Sequence, residues 1–361
     1  MQKSYVLLKK APGMNRYARN LVLRVRRSSL LPIFLFISGF CWLSGLFDHA
    51  LETSFSEFTW HISGNDVFSD THKLINGEKI GSKVINSYDS LHSLHQPSCT
   101  GQKYDLPYNL LIIVKSSVGN SKNRDVIRGT WGQEHVIDDF SVRTVFVVGR
   151  FPSDREHKSM KSALERESQI HKDMIVADMV DSYRNNTAKL LYSLQHAHSL
   201  EGGCPAPDFV LLIDDDYMLS IHNLIRLLDQ KSSQDLVYEG WRFDTSPFRF
   251  KLHKHAVSLA SYPFNAYPPY ISAGCVLLSR ASVELFYQAA QLVELYPFDD
   301  IYAGILAHFL KLRPTHNEKM IFWTRQVSHE EWLNGEVIAA HGYDPQRLED
   351  EYPLVRFAVP G

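Results

Sequence analysis

The chain has 361 residues, of which 44% are hydrophobic and 22% are charged, and it holds four cysteines. This composition is that of a globular protein, and it excludes a disordered chain, a collagen-like chain and a disulfide-framed miniprotein. The charge is uneven, because residues 1–47 hold eight basic side chains and no acidic one, which leaves a net charge of −10 on residues 48–361. An acidic body with a basic end argues against nucleic acid as the main partner.

The first predicted element is an apolar segment near the amino terminus. No charged residue occurs from Ser28 to Phe47, and these 20 residues are just enough to span a bilayer as a helix. Because positive residues stay cytoplasmic, we predict a cytoplasmic tail at 1–27, a signal anchor at 28–47 and a luminal body. A cleaved signal peptide is one alternative, which the long basic lead and the lack of an A-x-A site disfavour. A buried core helix is the other.

Residues 48–105 predict a luminal stem, since they are rich in Ser, His, Asn and Gly and show no sustained periodicity. In an oxidising lumen Cys99, Cys204 and Cys275 can form disulfides, but three cannot all pair and the spacing does not show which two do. A glycosylation sequon begins at Asn185 and is usable in a luminal body.

From residue 106 onward, apolar runs that predict strands alternate with runs of helical spacing. The strand-like segments are Leu110–Val114, Val142–Val148, Met174–Val176, Phe209–Ile213, Val237–Phe243 and Cys275–Leu278. The helical segments are Asn123–Trp131, Asp154–His171, Asn186–Leu200, Ile221–Leu228, Ala281–Leu295 and Ile301–Leu310. This alternation predicts an α/β domain over 106–361, with a mostly parallel sheet covered on both faces. Ligands of such sheets bind at the carboxyl ends of the strands.

Three consecutive aspartates follow one buried strand directly. Asp214, Asp215 and Asp216 repel one another unless a cation neutralises them, and carboxylate oxygens suit Mg²⁺ or Mn²⁺. Because alternate residues of an extended strand point the same way, Asp214 and Asp216 are expected to face one site and Asp215 another. A solvated acidic turn is the alternative.

Other candidates have a functional and a structural interpretation. Asp299 and Asp300 precede an apolar helix, where acidic residues also serve as caps. His341 is isolated in an apolar run and is either a ligand or a structural residue. Basic residues near the end of the first strand could bind a diphosphate or could be surface charges; they are Lys115, Arg124 and Arg128.

Taken together and in order, six segments resemble the β-1,3-glycosyltransferase family, which contains the galactosyl- and N-acetylglucosaminyltransferases of the Golgi. The segments are RDVIRGTWG (124–132), VDSYRNNTAKL (180–190), VLLIDDDYMLS (210–220), YPPYISAGCVLLS (267–279), FDDIYAG (298–304) and VIAAHGYDP (337–345). Around residues 245–274 the chain is most similar to the brainiac-like β-1,3-N-acetylglucosaminyltransferases. The resemblance implies a Golgi membrane enzyme of single-pass type II topology. It also implies a GT-A fold, a nucleotide-sugar-binding α/β domain.

The resemblance also assigns roles to residues. It implies that Asp214, Asp216 and His341 bind Mn²⁺ or another divalent cation, that Asp215 contacts the UDP-sugar, and that Asp300, or failing it Asp299, is the catalytic base. Lys115, Arg124, Arg128 and Lys189 match positions that line the nucleotide side.

The implied reaction moves N-acetylglucosamine from UDP-GlcNAc to a glycolipid or glycan acceptor of the mannosyl-glucosyl-ceramide type, with a β-1,3 linkage. An α-linked donor that gives a β product requires one inversion, so one carboxylate base suffices and no protein nucleophile is needed. UDP-galactose is the alternative donor. An inactive luminal chaperone or lectin-like binder and a metal-dependent luminal hydrolase are the alternatives from other classes.

Overall fold

The computed structural model describes residues 30–97, 109–133, 135–137, 140–152, 157–198 and 206–355. The chain divides into a smaller unit, Met1–Phe58 with Ser246–Ala266, and a larger unit, Thr59–Thr245 with Tyr267–Gly361. The predicted tail at 1–27, Cys99 and Cys204 lie outside the described residues, so the tail and any disulfide involving those cysteines stay predictions.

The smaller unit contains two consecutive helices, α1 (Leu30–Ser44) and α2 (Leu46–Ala50). Gly45 separates them with a φ of 80°, and a Cβ at this position would collide with Arg249. Glycine is therefore required here both by its backbone conformation and by the close approach. Within the described residues, no helix combines the length and the apolar character needed to cross a membrane.

The larger unit is built on a mixed sheet of nine strands in the described part of the chain. The strands are β1 (Ser93–His95), β2 (Leu110–Lys115), β3 (His135–Ile137), β4 (Phe140–Arg150), β5 (Met174–Val180), β6 (Phe209–Asp214), β8 (Tyr238–Phe243), β9 (Tyr270–Ser279) and β10 (Thr315–His316), with β7 in a second sheet. Their order is β1-β5-β4-β2-β6-β9-β8-β10, and β3 pairs antiparallel with the first three residues of β4.

The centre of this sheet is parallel, as the alternation predicted. Strands β5, β4, β2 and β6 run in the same direction and their apolar runs are buried. Strand β9 is antiparallel to both β6 and β8, so the sheet as a whole is mixed. The difference arises because the chain passes from β8 to β9 through residues 244–269 without a crossover helix, and a direct return places neighbouring strands antiparallel.

The strand order reverses between β2 and β6. From β2 the chain proceeds to β4 on one side, whereas β6 lies on the other side of β2. At such a switch point the two connections leave in opposite directions, which opens a crevice at the carboxyl ends of the strands. Lys115 and Asp214, the last residues of β2 and β6, are paired in register at this edge.

Helices of the larger unit cover the sheet. They are α3 (Val67–Ile75), α4 (Ser121–Gly129), α5 (Lys158–His171), α6 (Asn186–His198), α7 (Ile221–Leu228), α8 (Arg280–Ala290), α9 (Asp299–Phe309), α10 (His329–Leu333) and α11 (Pro345–Val355). Serine caps fix where several of them begin, because Ser220, Ser279 and Ser328 each accept a hydrogen bond from a backbone amide of the first turn.

A second sheet joins the carboxyl-terminal part of the chain to the aspartate motif. It contains β7 (Tyr217–Leu219), β11 (Met320–Ile321) and β12 (Ala339–His341), in the order β11-β12-β7. Strand β12 runs antiparallel to β7, with His341 opposite Tyr217. This pairing places a residue more than 120 positions downstream beside the three aspartates.

The predicted strands and helices of the body are confirmed, with boundaries that differ by a few residues. Strand β9 begins at Tyr270, five residues earlier than predicted, because Pro268 and Pro269 disguise the start of its apolar run. The predicted stem at 48–105 holds α3 and β1, and β1 pairs with β5 at the edge of the sheet. The start of the predicted catalytic domain at residue 106 lies outside the described residues.

Candidate active site

A buried lysine between two aspartates forms the centre of the site. Lys115 Nζ lies 3.1 Å from Asp214 Oδ1 and donates a 2.8 Å hydrogen bond to Asp299 Oδ2. Burial alone lowers the pKa of the Lys115 amine, but the two carboxylates outweigh it and raise this pKa above its usual value. Desolvation raises the pKa of Asp214 to about 6, with Lys115 acting in the opposite direction. Lys115 thus uses its charge to neutralise the cluster of carboxylates.

The three consecutive aspartates have different partners. Asp215 points away from the other two, as predicted, but Asp214 contacts Lys115 whereas Asp216 contacts His341, because the strand ends at Asp214 and Asp215 and Asp216 lie in a turn. Asp215 turns toward the β2–α4 loop (116–120), where its carboxylate accepts hydrogen bonds from Ser116 Oγ at 2.6 Å and Asn120 Nδ2 at 3.1 Å. Asp216 turns toward His341, with 3.1 Å between Oδ2 and Nε2. Asp215 therefore holds the loop, whereas Asp216 belongs to the open side of the site.

His341 is fixed from both sides. Its Nδ1 lies 3.0 Å from Thr324 Oγ1, and its contact with Asp216 raises the pKa of the imidazole. The next residue, Gly342, has a φ of 94°, and a Cβ there would collide with Thr324. The backbone amides of Gly342 and Tyr343 donate to the Asp216 carbonyl at 3.0 and 2.9 Å. This turn locks His341 and Asp216 together.

The residues assigned to the metal suit a divalent cation in their chemistry. Asp216 Oδ1 is buried and has no hydrogen-bond partner, which leaves one carboxylate oxygen unsatisfied beside an imidazole. Carboxylate and imidazole groups are common ligands of Mn²⁺. Asp214 is instead engaged by Lys115, and in the described part of the chain no three such side chains converge closely enough to hold an ion.

Asp299 and Asp300 occupy the first turn of α9 but differ in their surroundings. Asp299 is buried against Lys115, whereas Asp300 is partly accessible and accepts a hydrogen bond from the Ile301 amide at 2.8 Å. Desolvation, followed by the negative charge of Asp299, raises the pKa of Asp300 to about 7. Asp300 is therefore the better placed of the two to exchange a proton near neutral pH.

The two predicted nucleotide-side arginines are both fully engaged with carboxylates. Arg124 is buried, donates from Nε and Nη2 to Glu167 at 2.7 Å each, and donates from Nη1 to the Ser117 carbonyl at 2.7 Å. Arg128 donates from Nε to Asp173 at 2.7 Å. Because Asp173 precedes β5, Arg128 lies toward the amino-terminal edge of the parallel strands, and the structure does not bring it to the aspartates.

Lys189 also holds the β2–α4 loop. Its Nζ lies 2.7 Å from Asp181 Oδ1 and donates to the Ser116 carbonyl at 2.8 Å. Asp181 Oδ2 in turn accepts from the backbone amides of Val118 at 2.7 Å and Gly149 at 3.2 Å. The buried side chains of Asp215, Arg124 and Lys189 thus fix the conformation of the loop beside the crevice. The two cationic groups donate to acceptors of the protein itself.

Two residues near the site, Asp181 and Tyr183, are not among the predicted site residues. Asp181 lies in segment 180–190, one of the six that resemble the family. Tyr183, in the same segment, is close enough to Asp300 and Asp299 that their charges contribute, after burial, to raising the pKa of its phenol to about 12. Its position in segment 180–190, between Asp181 and Lys189, is the sequence signal that points to Tyr183 as a site residue.

An aromatic cluster also lies beside His341. Phe322 stacks against the imidazole with 6.3 Å between ring centroids, and Phe243 packs edge-on against Phe322 at 5.0 Å. Trp241 and Trp323 extend the cluster, and Trp323 is exposed. These aromatic residues come from β8 and from the segment after β11, so only the tertiary fold assembles them.

The predicted glycosylation sequon is structured. The Asn185 side chain donates to the Val180 carbonyl at 2.8 Å, and the buried Thr187 hydroxyl donates to the Tyr296 carbonyl at 2.6 Å. Asn185 itself is partly accessible.

Comparisons with known proteins agree with this geometry. The galactosyltransferase family matches residues 122–318. The β-1,3-galactosyltransferase bre-5 of Caenorhabditis elegans is 40% identical over 326 residues, which are 89% of this chain and 92% of the relative. The β-1,3-galactosyltransferase brn of Drosophila melanogaster is 31% identical over 324 residues, with 88% and 92% covered. The UDP-GlcNAc:betaGal β-1,3-N-acetylglucosaminyltransferase 7 of Rattus norvegicus is 30% identical over 228 residues, with 62% and 55% covered.

The family match includes the aspartate motif of β6 and the first turn of α9, where the site residues converge. The bre-5 and brn similarities extend this relationship over most of the chain. An α/β sheet with carboxylates at its switch point, together with these similarities, identifies the chain as a member of the galactosyltransferase family and as a β-1,3-glycosyltransferase.

Proposed function

We propose that this protein is an inverting, metal-dependent transferase that moves N-acetylglucosamine from UDP-GlcNAc to a hydroxyl of a glycolipid or glycan acceptor. The observation that carries the proposal is the separation of two carboxylate groups at one edge of the sheet. Asp216 pairs with His341, whereas Asp300, whose pKa is raised to about 7, directly follows Asp299, the carboxylate that Lys115 binds. This arrangement supplies a cation site and a base that are distinct.

The cation side serves the leaving group. Asp216 and His341 would hold Mn²⁺ or another divalent cation, which would supply positive charge to stabilise the departing diphosphate. The β2–α4 loop, fixed by Asp215, Arg124 and Lys189, offers a rigid wall next to this position. A rigid wall orients the donor without requiring further ordering of the protein.

The base side serves the acceptor. The acceptor oxygen attacks the anomeric carbon of the donor, its proton passes to the Asp300 carboxylate, and the bond from the anomeric carbon to the diphosphate oxygen breaks with its electron pair leaving on UDP. One such in-line displacement inverts the anomeric configuration. Asp299, held by Lys115, keeps its position and adds negative charge next to Asp300.

The acceptor has an apolar as well as a polar side to contact. The aromatic cluster beside His341, formed by Trp241, Phe243, Phe322 and Trp323, offers ring faces and an exposed indole next to the site. Binding sites for small ligands typically combine such aromatic walls with a few polar groups. The cluster also reaches toward the base, because Phe243 packs against Tyr270 with 5.7 Å between ring centroids, and the charge of Asp300, after burial, helps to raise the pKa of the Tyr270 phenol. We therefore assign this cluster to the acceptor, of the mannosyl-glucosyl-ceramide type.

The second candidate function is transfer of galactose from UDP-galactose. It is favoured by the similarity to bre-5 and brn, which are both named β-1,3-galactosyltransferases, while the rat relative is named for N-acetylglucosamine. The two donors differ by an acetamido or a hydroxyl group at the second carbon of the sugar.

The proposed location is the Golgi membrane, with segment 28–47 as a single-pass anchor and the body in the lumen. Its support is the absence of charge from Ser28 to Phe47 and the eight basic residues before it. A glycan at Asn185 belongs to the same proposal, since the sequon is modified only in the secretory pathway.

The donor is tested by offering UDP-GlcNAc, UDP-galactose, UDP-GalNAc and UDP-glucose separately, with Mn²⁺ and a mannosyl-glucosyl acceptor. We expect product with UDP-GlcNAc at least about tenfold faster than with the others, the scale of discrimination that a shaped pocket gives. A preference for UDP-galactose would assign the second function. UDP release that does not depend on the acceptor would indicate hydrolysis and contradict both.

The raised pKa of Asp300 predicts the pH dependence of the reaction. Asp300 accepts a proton only when ionised, so activity is present above pH 7 and falls as the pH drops through about 7. Asp299→Asn removes the neighbouring negative charge that helps to raise this pKa. The acidic limb of kcat/KM in that variant should therefore move to lower pH. A limb that does not move in Asp299→Asn would mean that another group titrates.

A further inference from the structure

The smaller unit exposes a large apolar surface, and part of it is α1, which lies within the proposed membrane anchor at 28–47. Large apolar side chains of α1 are exposed at five consecutive positions, 33–37, as well as at Phe40 and Trp42. Successive residues of a helix point about 100° apart, so five in a row leave no side of the helix covered. A helix that is apolar all round is stable only when something apolar surrounds it.

A loop of the same unit adds a second set of exposed apolar side chains. Phe248 is 54% exposed, Phe250 is 44% exposed and Leu252 is 72% exposed. They alternate in sequence with Arg249 and Lys251, and Leu252 lies in a turn that is closed by a 2.9 Å hydrogen bond from the His253 amide to the Phe250 carbonyl. We call residues 246–256 the collar loop.

The collar loop is held rigidly by its buried arginine. The Arg249 guanidinium donates to Glu52 at 2.7 Å, to the Val257 carbonyl at 3.0 Å, and to the carbonyls of Tyr262 and Phe264 at 2.9 and 3.1 Å. These bonds anchor Arg249, which lies between Phe248 and Phe250 in the chain. The exposure of the apolar side chains is therefore a property of a fixed structure.

Lys251 ties the collar loop to the end of α1. Its amide donates to the Leu43 carbonyl at 3.0 Å, its Nζ lies 2.7 Å from Asp48, and the same Nζ lies 5.0 Å from the centre of the Trp42 ring. The apolar side chains of the loop thus stand at the carboxyl-terminal end of α1. In the proposed topology this is the level at which the anchor leaves the bilayer.

The charges of the collar loop suit the same level. Lys254 is exposed, and His253 and His255 lie on either side of it, directly after the apolar side chains. Lysine next to exposed aromatic and aliphatic residues is the composition of segments that lie in a membrane interface, where the cation meets lipid phosphate and the apolar groups enter the acyl region.

We propose that the collar loop is a membrane-binding surface, in which Phe248, Phe250 and Leu252 insert into the phospholipid interface around α1. The proposal rests on the proposed anchor and extends it. The partner is the lipid bilayer itself, so that the smaller unit is held to the membrane at two places, the helix and the loop.

The test uses the full chain reconstituted in vesicles of phosphatidylcholine with a minor fraction of anionic phospholipid. A photoreactive p-benzoylphenylalanine replaces Phe250 or Leu252, and separately Phe36 in α1 and Ile170 in α5. Ile170 is the matched control, because it is 73% exposed, against 72% for Leu252, but lies near the end of a charged helix and is followed by His171 and Lys172. After irradiation, lipid adducts are measured by mass spectrometry.

We expect lipid adducts at Phe36, Phe250 and Leu252, with at least about tenfold less at Ile170. Adducts at Phe36 but none at Phe250 or Leu252 would overturn the collar loop while leaving the anchor intact. No adduct at Phe36 would overturn the anchor and the collar loop with it. Adducts from Phe250 or Leu252 to a second polypeptide in place of lipid would overturn the proposal in favour of a protein interface. Sugar transfer from the donor to the acceptor is measured separately on each substituted protein. Failure of the enzymatic proposal is thereby distinguished from failure of the membrane-binding proposal.

Discussion

Asp300→Asn is expected to lower turnover by about 10²-fold or more, the scale of a lost general base. The substitution is nearly isosteric and retains an oxygen that can accept from the Ile301 amide, so the first turn of α9 should persist. What is lost is the carboxylate, whose pKa is raised to about 7 and which takes the proton of the acceptor hydroxyl in the proposed mechanism. UDP affinity in the presence of Mn²⁺ should remain close to that of the wild type. Turnover and UDP affinity measured together check both statements.

Asp299→Asn is the matched control, since it changes the same chemical group one residue away. Its main effect should be on stability, because Lys115 loses the negative charge of its 2.8 Å partner and keeps only that of Asp214. Leaving a buried charge with fewer partners is destabilising. A reversed ranking, with Asp299→Asn inactive and Asp300→Asn near wild type, would move the base to Asp299. Wild-type turnover in both variants would place the base in another motif.

Asp216→Asn is expected to abolish Mn²⁺-dependent transfer, with a loss of about 10²-fold or more in turnover, because the electrostatic stabilisation of the leaving group disappears. The backbone contacts of Asp216, which accept from Gly342 and Tyr343, do not involve the side chain, so the thermal midpoint should stay close to wild type. Turnover as a function of Mn²⁺ concentration, with the thermal midpoint measured in parallel, tests the assignment.

His341→Ala should act in the same direction with partial recovery at high Mn²⁺, since water can replace a lost ligand. Asp215→Asn is the control within the motif, because its contacts are with Ser116 and Asn120 rather than with His341. It should leave the Mn²⁺ concentration for half-maximal activity unchanged. If His341→Ala leaves the metal requirement unchanged, the histidine is structural.

The location of the site followed from the sequence, because apolar strands that end in polar residues are visible in it. Lys115 and Asp214 each close a buried run, and parallel strands bring such ends to one edge. The separate direction of Asp215 was predicted too, but the two-residue period of a strand does not explain it, because β6 ends at Asp214 and Asp215 and Asp216 lie in a turn. The points at which apolar strands end in polar residues depend on neighbouring residues only, so they can be read directly from the sequence.

The partners of the buried charges did not follow from the sequence. Lys115, Arg124 and Lys189 match nucleotide-side positions, yet each is bound to carboxylates or carbonyls of the protein. A charge type cannot reveal its partner when that partner is distant, as Glu167 is from Arg124 and Asp299 is from Lys115. The antiparallel placement of β9 was hidden for a related reason, since strand direction depends on the path of the connection.

The hydrogen bonds of the sequon have a consequence for the order of events during biosynthesis. An enzyme that glycosylates Asn185 must reach the hydroxyl of Thr187 as well, and in the folded protein that hydroxyl is buried against the Tyr296 carbonyl. Tyr296 lies more than a hundred residues later in the chain and is synthesised several seconds after Thr187, given elongation at about 5–20 residues per second. The proposed glycan at Asn185 would therefore have to be added in the interval before the chain around Tyr296 is synthesised and docks. The fraction of molecules that carry the glycan would then depend on the rate of glycan addition relative to the rate at which the chain around Tyr296 docks. Slowing the docking of α6 should increase this fraction.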